Sequence, residues 1–252
     1  MEEEKDNEAS EENTASLSML SSISNNAARL ALFALLCTLF IAGTQILTKE
    51  DIAEQQRKAQ LKALLQIVPA DQHDNDMLSD YLLVNSQAGS DQASSLSNGF
   101  KSRAELADKL SLREEEKIFL AKKDGQARFL IYPAIARDGY SGDIKYIVGV
   151  SIDTNIVAGV RVLAHKETPG LGDGIDLRKS DWILDFSGKS LGQPAENQWT
   201  VKKEGGVFDG FTGATITPRA LTKSIANTLR LHQQYKKELL SQFSQRHQTG
   251  DK

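Results

Sequence analysis

Cysteine is almost absent, with Cys37 standing alone among 252 residues. One thiol excludes an intrachain disulfide. It also excludes an iron–sulfur cluster, which takes about four thiolates. Histidine is scarce as well. His73, His165, His232 and His247 are scattered, and no pair has metal-ligand spacing, so a protein-bound metal is not expected. Redox chemistry in such a chain has to come from an organic cofactor. Basic excess is missing too: 30 Lys and Arg stand against 34 Asp and Glu, for a net charge of −4. With no basic face and no interleaving of aromatic and basic residues, nucleic acid is not expected as a partner. No G-x-G-x-x-G lies between a strand and a helix, which argues against NAD binding by this chain.

What is present divides the chain into zones. The first 25 residues hold seven acids and one Lys, with many Ser and Asn. That composition predicts a disordered acidic tail over residues 1–26. Leu30 to Thr48 (LALFALLCTLFIAGTQILT) then runs without a charge. A bilayer core of about 30 Å takes about 20 helical residues, so a transmembrane helix is expected over residues 27–48. A cleaved signal peptide fits less well, because the run exceeds the usual ~7–15 apolar residues and an acidic tail replaces the basic leader. Charge near the span is placed awkwardly. Arg29 lies before it, and Lys49, Arg57, Lys58 and Lys62 follow it. The positive-inside rule alone puts the large domain in the cytoplasm, although long domains translocate largely regardless of charge.

Residues 49–68 keep helical spacing, with Ile52, Leu61, Leu64, Leu65 and Val68, until Pro69 and DQHDND end it. A helical stalk and linker is expected over residues 49–98, closing with a polar loop at 85–98. Then the pattern turns to strands. EKIFLAKK and ARFLIYPAIA flank Asp124-Gly125, a hairpin signal. IKYIVGVSID and IVAGVRVLAH follow, separated by Thr154-Asn155. Four consecutive strands predict a twisted antiparallel sheet. Leu221, Ile225 and Leu229 recur every four residues and predict a last helix from about Pro218 to Leu240, before a tail at 243–252. The fold class expected is α+β.

Three segments carry the chemistry. Asp209-Gly210-Phe211-Thr212-Gly213-Ala214-Thr215-Ile216-Thr217-Pro218 reads as a small-residue turn entering a helix. Thr217 suits an N-cap and Pro218 the first helical position. A helix start favours a phosphate, so this turn suits a phosphate ester beside an exposed hydroxyl. A plain helix cap with no ligand explains the same residues. His165-Lys166-Glu167-Thr168-Pro169-Gly170-Leu171-Gly172-Asp173 is a glycine-rich loop after a strand. Gly139-Tyr140-Ser141-Gly142 is a turn whose aromatic either stacks on a ligand or caps the core.

The first segment resembles the D-x-x-[ST]-G-A-T signature of the flavin-mononucleotide-binding domain family. Asp209, Thr212, Gly213, Ala214 and Thr215 fill the motif. The resemblance implies FMN joined through its phosphate to Thr215. E-T-P-G-L-G looks like the flavin-facing loop of that family. It implies hydrogen bonds to the ring from Glu167 and Thr168, packing by Leu171, and stacking by Tyr140. An FMN-binding domain is expected over residues 99–242. The order of segments closely resembles the G subunits of Rnf-type ion-translocating electron transport complexes. The C subunits of sodium-pumping NADH:quinone oxidoreductases share domain and motif.

That resemblance implies a flavin-carrying electron relay, a non-autonomous subunit of a translocase, with covalently bound FMN. It implies partners in the other subunits of the complex and in a flavin transferase during maturation. It implies a single-pass protein of the bacterial inner membrane whose large domain faces the periplasm, against the charge count above. The quinone-reductase subunit is the alternative, and a non-redox anchored assembly module a second one.

Overall fold

The computed structural model describes residues 2–84 and 98–249, and for parts of the three α-helices gives only the course of the backbone. The expected loop at 85–98 falls almost wholly outside the described residues. The chain divides into two units, residues 1–58 and residues 59–252.

In the first unit the backbone belongs to α1 (Glu2–Ile67). Composition predicts a disordered tail over residues 1–26, yet the backbone is helical from Glu2. The sequence has nothing to break such a helix: no Gly precedes Gly43 and no Pro precedes Pro69. Among the described residues no helix is long and apolar enough to cross a membrane. The large apolar side chains from Leu30 to Ile41 are nonetheless 56–74% exposed.

The second unit is built on one sheet. Its strands are β1 (Tyr81–Val84), β2 (Glu116–Lys123), β3 (Gln126–Gly139), β4 (Gly142–Ser151) and β5 (Val157–Ala164). All neighbours are antiparallel, and spatial order follows chain order. The four expected strands are all present. Asp124 and Gly125 turn β2 into β3 with φ of 53° and 72°, as a two-residue hairpin with both central residues left-handed requires. Asn155 likewise has φ of 57° between β4 and β5.

Period-two alternation splits the strands between two cores. Ile118, Leu120, Leu130, Tyr132, Tyr146 and Val148 face one side. Phe119, Ala121, Ile131 and Ile147 face the other. The first side is covered by α2 (Asn98–Lys109) and by α3 (Ile216–Thr249), whose Leu221, Ile225 and Leu229 are buried as their spacing predicts. The helix runs nine residues past the expected end at Leu240 (249 less 240), because the apolar stripe continues through Leu239 and Phe243, each 2% exposed. A tail at 243–252 therefore begins inside the helix.

The second side is covered by the end of α1. Leu64, Ile67 and Val68 are buried there against the sheet. Gly149 and Gly159 are register partners on β4 and β5. A Cβ at Gly149 would come 2.3 Å from Ile67 Cγ2, and one at Gly159 3.3 Å from Ile67 Cα. Two missing side chains thus make the notch that receives Ile67. Arg161 donates to the Gln66 carbonyl at 3.0 Å, satisfying an acceptor that the helix end leaves open. Residues 59–84, expected as stalk and linker, are part of this folded unit.

Residues 165–215, between β5 and α3, contain only short 3-10 turns, at Asp173–Ile175, Asp181–Phe186, Glu196–Gln198 and Lys202–Glu204. Aromatic side chains hold the segment. Trp182 meets Phe186 and Phe211 edge-on at 5.2 Å, and Phe186 stacks on Phe208 at 4.5 Å.

Candidate functional site

The irregular segment ends at the start of α3, and there a cavity of about 380 Å³ opens. Its walls are Tyr140, Glu167, Thr168, Leu171, Gly172, Gly213, Ala214, Thr215, Ile216 and Thr217. That volume suits a cofactor-sized ligand, for which ~300–1,000 Å³ is usual. Three stretches far apart in sequence therefore meet.

The turn before α3 is shaped by its glycine. The Ala214 N–H donates to the Phe211 carbonyl at 3.1 Å, closing a four-residue turn with Gly213 at φ 80°. A positive φ at the third position is what a type II turn requires. The turn is fixed from behind. Phe211 packs on Trp182, and Trp182 Nε1 donates to the Asp209 carbonyl at 2.7 Å. A Cβ at Gly174 would lie 3.0 Å from the Phe211 ring.

The helix begins two residues earlier than its expected cap residue, Thr217, implies. The Arg219 N–H donates to the Thr215 carbonyl at 3.3 Å, so Thr215 holds the N-cap position. Thr217 lies in the first turn, fully buried, and its hydroxyl donates to Glu167 Oε2. Pro218 follows where no intrahelical N–H is needed. The backbone N–H groups of Ile216 and Thr217 have no preceding helical carbonyl and carry the positive end of the helix dipole.

Three threonine hydroxyls lie in this stretch, and the structure separates them. Thr212 is exposed and lies outside the cavity wall. Thr217 is committed to Glu167. Thr215 is half-buried in the wall, beside the helix start, and its hydroxyl makes no hydrogen bond among the described residues.

The second stretch is another type II turn. The Leu171 N–H donates to the Thr168 carbonyl at 3.1 Å, with Pro169 second and Gly170 third at φ 76°. It presents Leu171, 47% exposed, to the cavity. Glu167, also in the wall, is 4% exposed. Its Oε1 accepts the Ser141 N–H at 3.0 Å, and its backbone N–H donates to His165 Nδ1 at 3.1 Å. In the third stretch Tyr140 is 69% exposed at the cavity edge, which removes the reading of it as a cap on the core.

Seven of the expected site residues thus line the cavity: Tyr140, Glu167, Thr168, Leu171, Gly213, Ala214 and Thr215. Thr212 and Asp209 do not. The Asp209 carboxylate pairs with Lys202 at 2.7 Å on the surface. Beyond the wall, Arg219 Nη1 lies 2.7 Å from Glu204 Oε1 and, with the Thr200 hydroxyl, holds that carboxyl below its usual range. Among the described residues no group of His, Cys, Asp or Glu is arranged to hold a metal.

The family described as FMN-binding domain matches residues 139–230, and that described as RnfG N-terminal region matches residues 19–67. The chain is 42% identical over 224 residues to the G subunit of the ion-translocating oxidoreductase complex of Vibrio atlanticus, covering 89% of this chain and 97% of that one. The chain belongs to the family of these G subunits. The corresponding G subunit of Shewanella amazonensis is 43% identical over 211 residues, covering 84% of this chain and 88% of the relative. The crystal structure of Shewanella oneidensis NqrC aligns at a TM-score of 0.46 and 21% identity, covering 70% of this chain and 99% of that one.

Every residue of the cavity wall falls inside the FMN-binding match. Two features of the site escape sequence reasoning. Thr217 reads as a cap, and its bond to a residue fifty positions earlier has no sequence mark. Gly172 reads as one more loop glycine, yet a Cβ there would meet Glu167 Oε2 at 2.8 Å and Thr217 Oγ1 at 2.9 Å.

Proposed function

We propose that the cavity holds FMN, esterified through its phosphate to the hydroxyl of Thr215, and that the chain relays electrons within a membrane-bound complex that moves ions. The single observation that carries this reading is the selection among three threonines: Thr215 alone is both in the wall and uncommitted. A phosphate there sits at the positive end of α3, where first-turn N–H groups favour an anion. The apolar part of the ring system has Leu171 and the exposed face of Tyr140 to pack on.

FMN, when bound, passes one or two electrons, which lets it join donors and acceptors of different electron count. The chain's own part is to anchor the phosphate, exclude water from one side of the ring and set the polarity around it. Thr168, in the wall, supplies a hydroxyl for a hydrogen bond to the ring. Thr215 acts as an acceptor of the cofactor rather than as a catalyst. A flavin transferase is the partner that forms the ester. The other subunits of the complex are partners in electron transfer, as the name carried by the relatives indicates.

The apolar sleeve from Leu30 to Ile41 supports an anchor in the inner membrane, since so much exposed apolar surface calls for a cover. The family resemblance supports a flavin domain that faces the periplasm. A carboxyl-terminal alkaline phosphatase fusion tests this: activity places the domain outside the cytoplasm, and an inactive fusion reverses the topology.

The cofactor reading is tested by the mass of the denatured chain, made in a host with flavin transferase. An added mass of ~438 Da (FMN less water) on the peptide holding Thr215 is expected. Thr215→Ala is expected to give a folded chain without the adduct. An adduct retained in that variant, or absent from the parent while the transferase modifies another substrate, overturns the proposal.

A further inference from the structure

One arrangement at the cavity is left unused by the flavin reading. Glu167 is a buried carboxylate, and such a group is tolerated only when donors reach it. Its two oxygens take their donors from different segments. Ser141 N–H reaches Oε1 at 3.0 Å, and the Thr217 hydroxyl reaches Oε2. Space for this is made by two glycines. A Cβ at Gly139 would lie 2.9 Å from Oε1, and one at Gly172 2.8 Å from Oε2. Ser141 directly follows Tyr140, and Thr217 stands two residues after Thr215. One carboxylate therefore ties the turn that carries the exposed aromatic to the helix start that carries the free hydroxyl.

We propose that Glu167 and Thr217 are a positioning pair that fixes where the flavin ring lies relative to its phosphate anchor. The inference rests on the reading of the cavity as an FMN site. Glu167 then acts on the flavin through Tyr140 and Thr215, not as a direct ligand of the ring. Thr217 gains a role that the attachment motif does not give it. The link is short on both sides: Ser141 adjoins the aromatic, and Thr217 is two positions from the anchor. Movement at either donor is therefore passed on with little slack.

The test uses the full chain and the variants Thr217→Val, Thr217→Ser and Glu167→Gln. Amide exchange of Ser141 is followed by NMR in protein made without transferase. Flavin emission and midpoint potential are followed in protein made with it. Thr217→Val is expected to speed Ser141 exchange on the order of tenfold, the effect of weakening a bond to a charged acceptor. It is also expected to raise flavin emission and shift the potential while the ~438 Da adduct is kept. Thr217→Ser is expected to restore all three. Thr217→Cys, with similar volume and a weak donor, replaces the valine variant should that one not fold.

A Glu167→Gln change in emission together with a silent Thr217→Val overturns the pair and makes Glu167 a direct ring ligand. Lowered melting temperature with unchanged emission and potential also overturns it, leaving a structural bond only. A parent chain without the adduct overturns the FMN reading instead. The exchange data then still decide whether Thr217 and Ser141 are coupled through Glu167.

Discussion

At the residue scale, His232 shows how burial sets chemistry outside the site. It lies on α3, fully buried, with Nδ1 3.0 Å from the Tyr132 hydroxyl. Burial, helped by the nearby positive Lys236, pushes its pKa down to about 4. The folded state therefore holds a neutral ring where the unfolded chain takes up a proton near pH 6.5. The unfolded state binds more protons in that window, so stability falls as pH drops from about 6.5 to about 4 and then levels off for this group. The expected loss is about 3 kcal/mol. Urea midpoints measured across that range should show it, and His232→Gln should flatten the slope. The carboxyl of Asp176, held low chiefly by hydrogen bonds from Arg178, adds its own loss only at lower pH.

At the scale of elements, the end of α1 meets the sheet through an absence of side chains. Gly149→Ala puts a methyl group against Ile67 Cγ2 in a packed face. Overpacking of this kind costs about 1–3 kcal/mol. A lowered denaturation midpoint is expected, with Ile67→Ala recovering part of it in the double variant. An additive double variant would show that the notch does not hold this side chain. The strands themselves are legible in the sequence, because β2 to β5 are apolar runs rich in strand-forming residues and Asp124-Gly125 marks a hairpin. β1 is not: YLLV is four residues, too short to show a period, and it is recruited by pairing with β2. The site is legible where chemistry is local, as in the turns around Gly213 and Gly170. It is not legible where contacts are long-range. Nothing near Asp209 announces that its carboxylate turns to Lys202, and nothing near Phe211 announces the aromatic cluster behind it. Helix ends are the other loss, since Thr217 satisfies the rules for a cap while Thr215 occupies the position.

At the scale of the molecule, the chain combines a helix with an apolar sleeve and a folded unit with its own cores. Separating them should separate their solubilities. A chain beginning at residue 49 is expected in the soluble fraction without detergent, with the flavin adduct intact. The full chain is expected in the membrane fraction and to resist extraction by carbonate. Recovery of the full chain in the soluble fraction would remove the anchor from the proposal. Length and charge distribution foretell this division, but not that residues 59–84 belong with the sheet.

The junction at Glu167 also orders events in time. Its three contributing stretches end with the first turn of α3, and that helix stays seated on the sheet through Phe243. A chain made from its amino terminus completes this helix after every strand of the sheet. The Thr215 hydroxyl thus takes up its place only after the strands have been made, so an ester formed there, as proposed above, would mark a chain whose sheet is already complete.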